Sequence, residues 1–327
     1  MRALVCESWR PFDQLEVKEV SPPPMRPGAV RIRVEASGVS FATQLVVEGK
    51  YQRRPPLPFT PGTEAAGVVL EGPLPAGTRV FAALDWGAMA EEAVVDAIHV
   101  TPLPDHLPLD AAVAMPISYP TAASALMWRG RVGPGDWVLV QGAGGGVGLA
   151  GVEVARALGA HVIARAGVAK HAALHARGAE VVLDSEQPFR DAVRAATGGA
   201  GVSCVLDTIG GASFDESLRC LGDGGTLVTI GYAGGGIPTV PANILLLKNI
   251  GVAGLNWGSY IGWSPGDGRE GYAPRVRALW DQLVAWWAEG KLRPEVHARY
   301  KLDDFRAAMA EVANRRALGR VVITPCA

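Results

Sequence analysis

The 327-residue sequence lacks the features of several classes of protein. It has no uninterrupted apolar run of about 18 residues, so no segment is predicted to span a bilayer. Its net charge of −1 gives no electrostatic reason to expect binding to nucleic acid or to an anionic membrane surface. The first residues run directly into strand-like sequence without the apolar core of a secretory signal, so we expect a cytoplasmic protein.

Disulfide and metal-binding patterns are also missing. The sequence contains no C-x-x-C pair, and its cysteines lie far apart, as is typical of free thiols in a reducing compartment: Cys6, Cys204, Cys220 and Cys326. Its six histidines form no ligand-like cluster. His171 and His175 are spaced to share a helix face, but zinc needs further ligands and none is near in sequence. No metal site is predicted.

What the sequence does have is a glycine-rich turn between a strand and a helix. Trp137–Gln141 is a short apolar run, residues 142–148 read G-A-G-G-G-V-G, and Val147–Leu158 has the apolar spacing of a helix. Glycines in such a turn permit the tight bend, let the backbone approach a pyrophosphate and let the helix pack closely on the strand. The stretch therefore predicts a dinucleotide site, with a glycine spacing that starts either at Gly142 or at Ala143.

The pattern of predicted elements changes near Ala111. Short strands separated by Gly/Pro turns precede it, which predicts a β-rich domain closer to a twisted barrel than to a layered α/β fold. Strands and helices then alternate, and six strands with crossover helices predict a doubly wound parallel sheet. We predict an α/β protein in which a dinucleotide-binding domain, residues 118–257, is inserted into a β-rich domain, residues 1–117 and 258–327.

Six segments occur in one order along nearly the whole chain: 37–43 (S-G-V-S-F-A-T), 49–51 (G-K-Y), 58–69 (P-F-T-P-G-T-E-A-A-G-V-V), 142–148, 241–249 (P-A-N-I-L-L-L-K-N) and 319–322 (G-R-V-V). With these segments the chain resembles the medium-chain dehydrogenase/reductase superfamily, and more narrowly its zinc-independent quinone oxidoreductase (zeta-crystallin-like) branch. The resemblance implies a GroES-like catalytic domain beside the Rossmann domain. It also implies a homodimer formed through the edge strand near Ile250–Leu255.

The resemblance extends to the absence of zinc. Zinc-dependent relatives have a cysteine at the place of Ser40, and a histidine at the place of Thr63 before the glutamate that is Glu64 here. Catalytic zinc needs three protein ligands, and this chain keeps one. We therefore expect no metal, no Lewis-acid activation and a structural or hydrogen-bonding role for Glu64.

The end of the second strand of the nucleotide domain bears on cofactor choice. NAD enzymes place Asp or Glu there for the ribose 2′-OH, whereas residues 164–167 read A-R-A-G. Arg165, and Lys170 where this branch often has a phosphate-binding lysine, can pair a 2′-phosphate, unless both are solvated surface cations. We predict NADP(H), although Asp184-Ser185 replaces a tyrosine that relatives often place against the adenosine phosphate.

Further cofactor contacts are predicted at the carboxyl ends of the sheet strands. The resemblance adds one residue near the nicotinamide, Thr121, and one from the other domain, Arg320. The predicted cofactor residues are Thr121, Gly142, Gly145, Gly146, Val147, Arg165, Lys170, Gly210, Ile230, Gly231, Asn256 and Arg320.

The predicted catalytic residues are Ser40 and Tyr51. Relatives often read V-N-F-x-D where this chain has Val39–Thr43, so both the Asn and the Asp are replaced. Ser40 can still donate a hydrogen bond, but Thr43 cannot act as an acid near neutral pH. Tyr51 lies where this branch places a tyrosine in the substrate pocket, where it would act as a hydrogen-bond donor or as an aromatic wall. The alternative is that Tyr51 is an ordinary aromatic residue of a loop.

Together these residues predict an NADPH-dependent, zinc-independent reductase that transfers hydride to a quinone or a related α,β-unsaturated carbonyl. Its partners would be this small molecule and a second copy of the chain. One alternative is an enoyl-thioester reductase of the acrylyl-CoA type, for which Lys50 and the pair Arg53-Arg54 offer only a small basic patch. The other alternative is a non-catalytic NADPH-binding sensor, suggested by the replaced Asn and Asp.

Overall fold

The computed structural model describes residues 1–263 and 266–326. The chain divides into two compact units. The first comprises Met1–Ile117, Gly258–Ala288 and Pro294–Ala327, and the second comprises Ser118–Trp257 and Glu289–Arg293. The predicted division differs at residues 289–293, which it assigned to the first domain. The Gly/Ser/Pro loop predicted after Trp257 includes residues 264 and 265, which lie outside the described residues.

The strands, numbered along the chain, are β1 (Arg2–Val5), β2 (Glu16–Glu19), β3 (Ala29–Val39), β4 (Glu64–Glu71), β5 (Arg79–Ala83), β6 (Glu92–Asp96), β7 (Val100–Pro102), β8 (Trp137–Gln141), β9 (His161–Ala166), β10 (Val181–Asp184), β11 (Val202–Asp207), β12 (Leu221–Thr229), β13 (Gly251–Gly254), β14 (Val296–Lys301) and β15 (Arg320–Thr324). The α-helices are α1 (Phe41–Val47), α2 (Ser118–Ser124), α3 (Gly146–Ala157), α4 (His171–Ala176), α5 (Arg190–Ala196), α6 (Ser213–Cys220), α7 (Ala242–Lys248), α8 (Arg269–Ala288) and α9 (Phe305–Ala313). None of the helices within the described ranges has the length and apolar character needed to cross a membrane.

The first unit is built on a seven-stranded sheet. Its order is β14-β15-β3-β4-β5-β7, and β6 also pairs with β3. All these pairs are antiparallel except β14–β15. The long strand β3 pairs with β4 through two register shifts, which bend it as β-bulges do, and its first half also pairs with β6. Because alternate residues of a strand face opposite sides, one set of β3 side chains, which includes Val30, Ile32 and Val34, is buried in an apolar cluster.

The second unit contains a six-stranded sheet that is parallel throughout. Its order is β10-β9-β8-β11-β12-β13. Successive strands are added on one side from β8 to β10 and on the other side from β11 to β13, so the topological switch point lies between β8 and β11. Val138, Leu139 and Val140 are fully buried, as expected for a central strand covered on both faces. This sheet confirms the predicted doubly wound fold, and it places the loops that follow its strands along one edge.

Some elements differ from the sequence-based expectation for local reasons. Neither α1 nor α7 is expected from the sequence. The sequence predicts a strand over Asn249–Leu255, but the strand begins later, because Asn249 has φ +50° and ends α7 as a left-handed cap. The sequence also predicts one helix over Pro120–Arg129, whereas the structure has α2 followed by a π-helical turn over Ala125–Arg129.

Residues 289–293 join the second unit through a buried carboxylate. Glu153 of α3 is 2% exposed. It accepts hydrogen bonds from the Tyr119 hydroxyl at 2.7 Å, the Arg293 backbone N–H at 2.8 Å and the Arg177 guanidinium at 2.6 Å. A buried carboxylate needs such a full set of donors, so this contact ties the segment after α8 to α3.

A buried histidine lies next to helix α8. His99 is 4% exposed, and its ring centroid is 6.2 Å from that of Trp280 in an edge-on arrangement. Burial, together with the positive charge of Arg269, lowers the pKa of His99 to about 4. The imidazole is therefore neutral in the folded protein near pH 7.

This neutral state predicts a specific pH dependence of stability. Unfolded His99 takes up a proton below about pH 6.5, whereas folded His99 does so only near pH 4, so stability falls as the pH drops through this window. Between pH 7 and pH 5 the loss from this group is about 2 kcal/mol. Urea unfolding of His99→Gln at both pH values should show a shallower decrease than that of the wild type. Exposed His106→Gln is the control, and equal decreases in wild type and His99→Gln would contradict the assignment.

Candidate cofactor and substrate sites

The glycine turn between β8 and α3 depends on backbone contact. Gly142 has φ +67°, and the Gly145 N–H donates to its carbonyl at 3.0 Å. A Cβ at Gly148 would overlap the Gly142 carbonyl, whereas a Cβ at Gly145 would lie 3.6 Å from that oxygen. The fold therefore uses the glycine spacing that starts at Gly142, while Ala143 is a buried packing residue.

The same turn leaves the N-terminus of α3 suited to an anion. Helix α3 begins at Gly146, and its N-cap Gly145 has no side chain to cap the first N–H groups. The Lys170 side chain packs against Gly144, where an added Cβ would overlap it. Burial lowers the pKa of Lys170. An ammonium group beside a helix N-terminus fits a phosphate.

Arg165 is hydrogen-bonded to groups of its own unit. Its guanidinium donates to the Gln141 side chain at 3.2 Å and to the backbone carbonyls of Ser185 and Gln187. These hydrogen bonds connect the loop after β10 to the end of β8. Of the two predicted 2′-phosphate cations, Lys170 is the one that packs against the glycine turn.

The other predicted cofactor residues of this unit mostly follow neighbouring strands: Gly210 after β11, Ile230 and Gly231 after β12, and Asn256 after β13. Thr121 lies buried in α2. Asp207 at the end of β11 accepts hydrogen bonds from the Ile209 and Gly210 N–H groups at 2.9 and 3.0 Å, and burial raises its pKa. These bonds fix the loop after β11 at the carboxyl edge of the sheet.

The predicted catalytic residues belong to the first unit. Ser40 is the N-cap of α1, and its Oγ lies 3.0 Å from the Oγ1 of buried Thr43. Thr43 and Tyr51 line one pocket together with Arg53, Phe59, Trp86 and Trp263. Burial raises the pKa of Tyr51, so its phenol stays neutral.

The residues at the expected zinc position do not fit a zinc ion. Ser40 bonds to Thr43, and the Glu64 carboxylate is ion-paired with Arg320. Both members of that pair are buried, and burial lowers the pKa of Arg320 to about 10. Across the described part of the chain, no group of three His, Cys, Asp or Glu side chains is arranged to hold a metal. A carboxylate already neutralised by arginine is a poor ligand for a cation.

Sequence reasoning missed part of the pocket. The sequence predicts for Arg53 only a place in a small basic patch, and it predicts no role for Asp85, Trp86 or Trp263. Asp85 and Trp86 follow β5 in a loop without a motif. Only the folded chain brings these four residues together.

A parallel sheet with a glycine turn, in a chain that also has a β-rich unit with a largely apolar pocket, defines a dinucleotide-dependent dehydrogenase or reductase fold. Residues 26–105 match the alcohol dehydrogenase GroES-like domain family, and residues 146–270 match the zinc-binding dehydrogenase family. The chain is 37% identical over 331 residues to quinone oxidoreductase-like protein 2 of Rattus norvegicus, covering 99% of this chain and 92% of that protein.

Solved structures agree with this similarity. The quinone oxidoreductase of Thermus thermophilus has a TM-score of 0.86 and 33% identity, covering 99% of this chain and 100% of that one. The Escherichia coli quinone oxidoreductase complexed with NADPH has a TM-score of 0.88 and 25% identity, with the same coverage. The chain belongs to the medium-chain dehydrogenase/reductase superfamily, in its quinone oxidoreductase branch, which confirms the family predicted from the sequence.

The glycine turn yields a paired prediction. Gly148→Ala should destabilise the protein by about 1–3 kcal/mol, because its methyl group meets rigid backbone. Gly145→Ala should fold with near wild-type stability, since its methyl group has room and its φ is −84°. Thermal unfolding of both variants tests this. Equal destabilisation would mean that the close approach at Gly148 is not what requires glycine.

Proposed function

We propose that this chain is an NADPH-dependent reductase that works without zinc and reduces a quinone or a related α,β-unsaturated carbonyl. The observation that carries the proposal is the turn in which Lys170 packs beside the uncapped N-terminus of α3. It occurs in a chain whose structural relatives include quinone oxidoreductases from Thermus thermophilus and Escherichia coli solved with NADPH. NADP(H) is accordingly the cofactor.

The residues of the second unit fit this cofactor. The N–H groups of Gly146 and Val147 would hold the diphosphate, and Lys170 would pair the 2′-phosphate. Residues 164–167 offer no carboxylate to repel that phosphate. When bound, NADPH supplies a hydride, and the protein has to position the acceptor and exclude water.

In the first unit the neutral phenol of Tyr51 donates a hydrogen bond to the acceptor carbonyl, where negative charge develops as hydride adds to the conjugated system. Ser40, whose hydroxyl is oriented by Thr43, is a second donor. Asp85 also lines the pocket but is ion-paired, so the proton that completes the product comes from solvent. One hydride and one proton thereby convert a quinone to a hydroquinone, or an enone to a saturated ketone.

Zinc independence follows from the same residues. With Ser40 bonded to Thr43 and Glu64 paired with Arg320, hydrogen-bond donors stabilise the developing charge in place of a Lewis acid. Because conjugated acceptors are activated by such donors, this donor set suits quinones and enones.

We also propose that the protein is a homodimer. Strand β13 lies at the edge of the parallel sheet, and in the described chain it pairs only with β12. The preceding helix α7 exposes 77% of Leu246 and 75% of Leu247. An open strand edge beside exposed leucines is a surface that two copies can bury. Sedimentation should give a dimer for the wild type and a monomer for Leu246→Asp combined with Leu247→Asp.

The function is tested by following NADPH and NADH oxidation with 1,4-benzoquinone, cyclohex-2-enone and acryloyl-CoA, with and without EDTA. We expect chelator-resistant turnover of the quinone or enone that favours NADPH. Turnover of the thioester alone would identify an enoyl-thioester reductase. Tight NADPH binding without turnover would favour a sensor, and sensitivity to EDTA would contradict zinc independence.

The same assay resolves the role of the two cations. Lys170→Met should raise KM for NADPH about tenfold and leave KM for NADH unchanged, because it removes the partner of the 2′-phosphate. Exposed Lys291→Met is the control. Arg165→Met should instead lower thermal stability, since its hydrogen bonds join two loops. Altered NADPH selectivity in Arg165→Met but not in Lys170→Met would reverse these roles.

A further inference from the structure

The pocket that contains Tyr51 has a cationic wall held between two indoles. The Arg53 guanidinium carbon lies 5.3 Å from the ring centroid of Trp86 and 5.8 Å from that of Trp263. Arg53, Trp86 and Trp263 line the pocket together with Tyr51. These cation–π contacts favour a limited set of orientations of the planar guanidinium group.

The charge of Arg53 is balanced within the first unit. Its Nη2 lies 2.9 Å from Asp85, which Arg269 also contacts through both carboxylate oxygens at 3.1 Å. Arg269 continues the cluster to Asp96 at 2.7 Å and Asp267 at 2.8 Å.

Arg26 completes this cluster by pairing with Asp96. Three arginines thus face three aspartates, and the cluster has no surplus positive charge. A site of this kind does not attract anions in general, and a carboxylate-bearing acceptor gains no particular advantage there.

One nitrogen of the Arg53 guanidinium makes no hydrogen bond within the described chain. This nitrogen, Nη1, is also buried. A buried guanidinium N–H without an acceptor is unfavourable, and an oxygen atom of a bound ligand removes that penalty. Arg53 and Tyr51 therefore give one pocket two separate donors, suited to a ligand with two acceptor oxygens.

We propose that Arg53 is the residue that makes the enzyme select quinones and other conjugated diones over enones with a single carbonyl. The Arg53 Nη1 donates a hydrogen bond to the second carbonyl oxygen of the acceptor, while Tyr51 and Ser40 donate hydrogen bonds to the first. This inference rests on the proposed function and specifies the acceptor class of the same site. Asp85, Trp86 and Trp263 act as positioning residues, because they hold the guanidinium in place.

The test compares kcat/KM for 1,4-benzoquinone and cyclohex-2-enone in the wild type and in Arg53→Met, which keeps an unbranched side chain between the indoles. We expect the quinone value to fall about tenfold or more and the enone value to change less than about twofold. Arg53→Lys, which keeps the charge but not the fork, should fall in between. Exposed Arg54→Met, which is outside the pocket lining, should behave as wild type.

Each other result is informative. A wild-type quinone/enone ratio in both Arg53 variants, with NADPH affinity retained, would overturn the role of Arg53 but not the reductase function. Equal loss on both acceptors in Arg53→Lys would also overturn it, because it would indicate a structural role. Preference of the wild type for a carboxylate-bearing enone over the quinone would show that the site binds anions. A wild type that reduces no acceptor would instead overturn the proposed function itself.

Discussion

The approach of α3 to the end of β8 is the constraint on which the nucleotide unit depends. Because the backbone at Gly148 packs against the Gly142 carbonyl, the helix starts close to the sheet and its first N–H groups stay free of side-chain caps. The parallel strand order then brings the loops after β11 and β12 to the same edge, where Asp207 fixes one of them. The phosphate site that we propose is thus mostly backbone, with Lys170 as its side-chain cation.

In the reaction that we propose, the first unit would have to polarise a carbonyl without a metal. Ser40 performs two tasks, as it caps α1 and presents its hydroxyl beside Thr43. The Glu64–Arg320 pair fills the place where other members of the superfamily hold a metal ligand. Breaking that buried pair by removing one partner would leave an uncompensated charge. The arginine that was predicted to contact the cofactor therefore has a structural partner within its own unit.

Local patterns in the sequence were sufficient for the regular parts of the fold. The strand–turn–helix at residues 137–158 was predicted within one residue, since apolar periodicity and glycine decide it. The segment 289–293 was not, because it depends on the Arg293 N–H reaching Glu153, which lies far away in the sequence. Helix α7 has no fully buried residue, and its four consecutive apolar residues, 244–247, show no helical periodicity that would reveal it.

The same distinction separates the predictable from the unpredictable parts of the site. Glycines act through their own backbone, so their role can be inferred from neighbours in sequence. A cation's role depends on which distant groups share its charge. Arg165 and Lys170 look alike in the sequence, yet Arg165 donates to loop carbonyls whereas the Lys170 side chain packs against Gly144 of the glycine turn. The role of Arg53 is even harder to predict from the sequence, because it depends on three distant residues. Asp85 balances its charge, and Trp86 and Trp263 contact its guanidinium group, which makes Arg53 an oriented hydrogen-bond donor without net charge around it. Such a donor can recognise a neutral oxygen, whereas an unbalanced arginine would favour an anion.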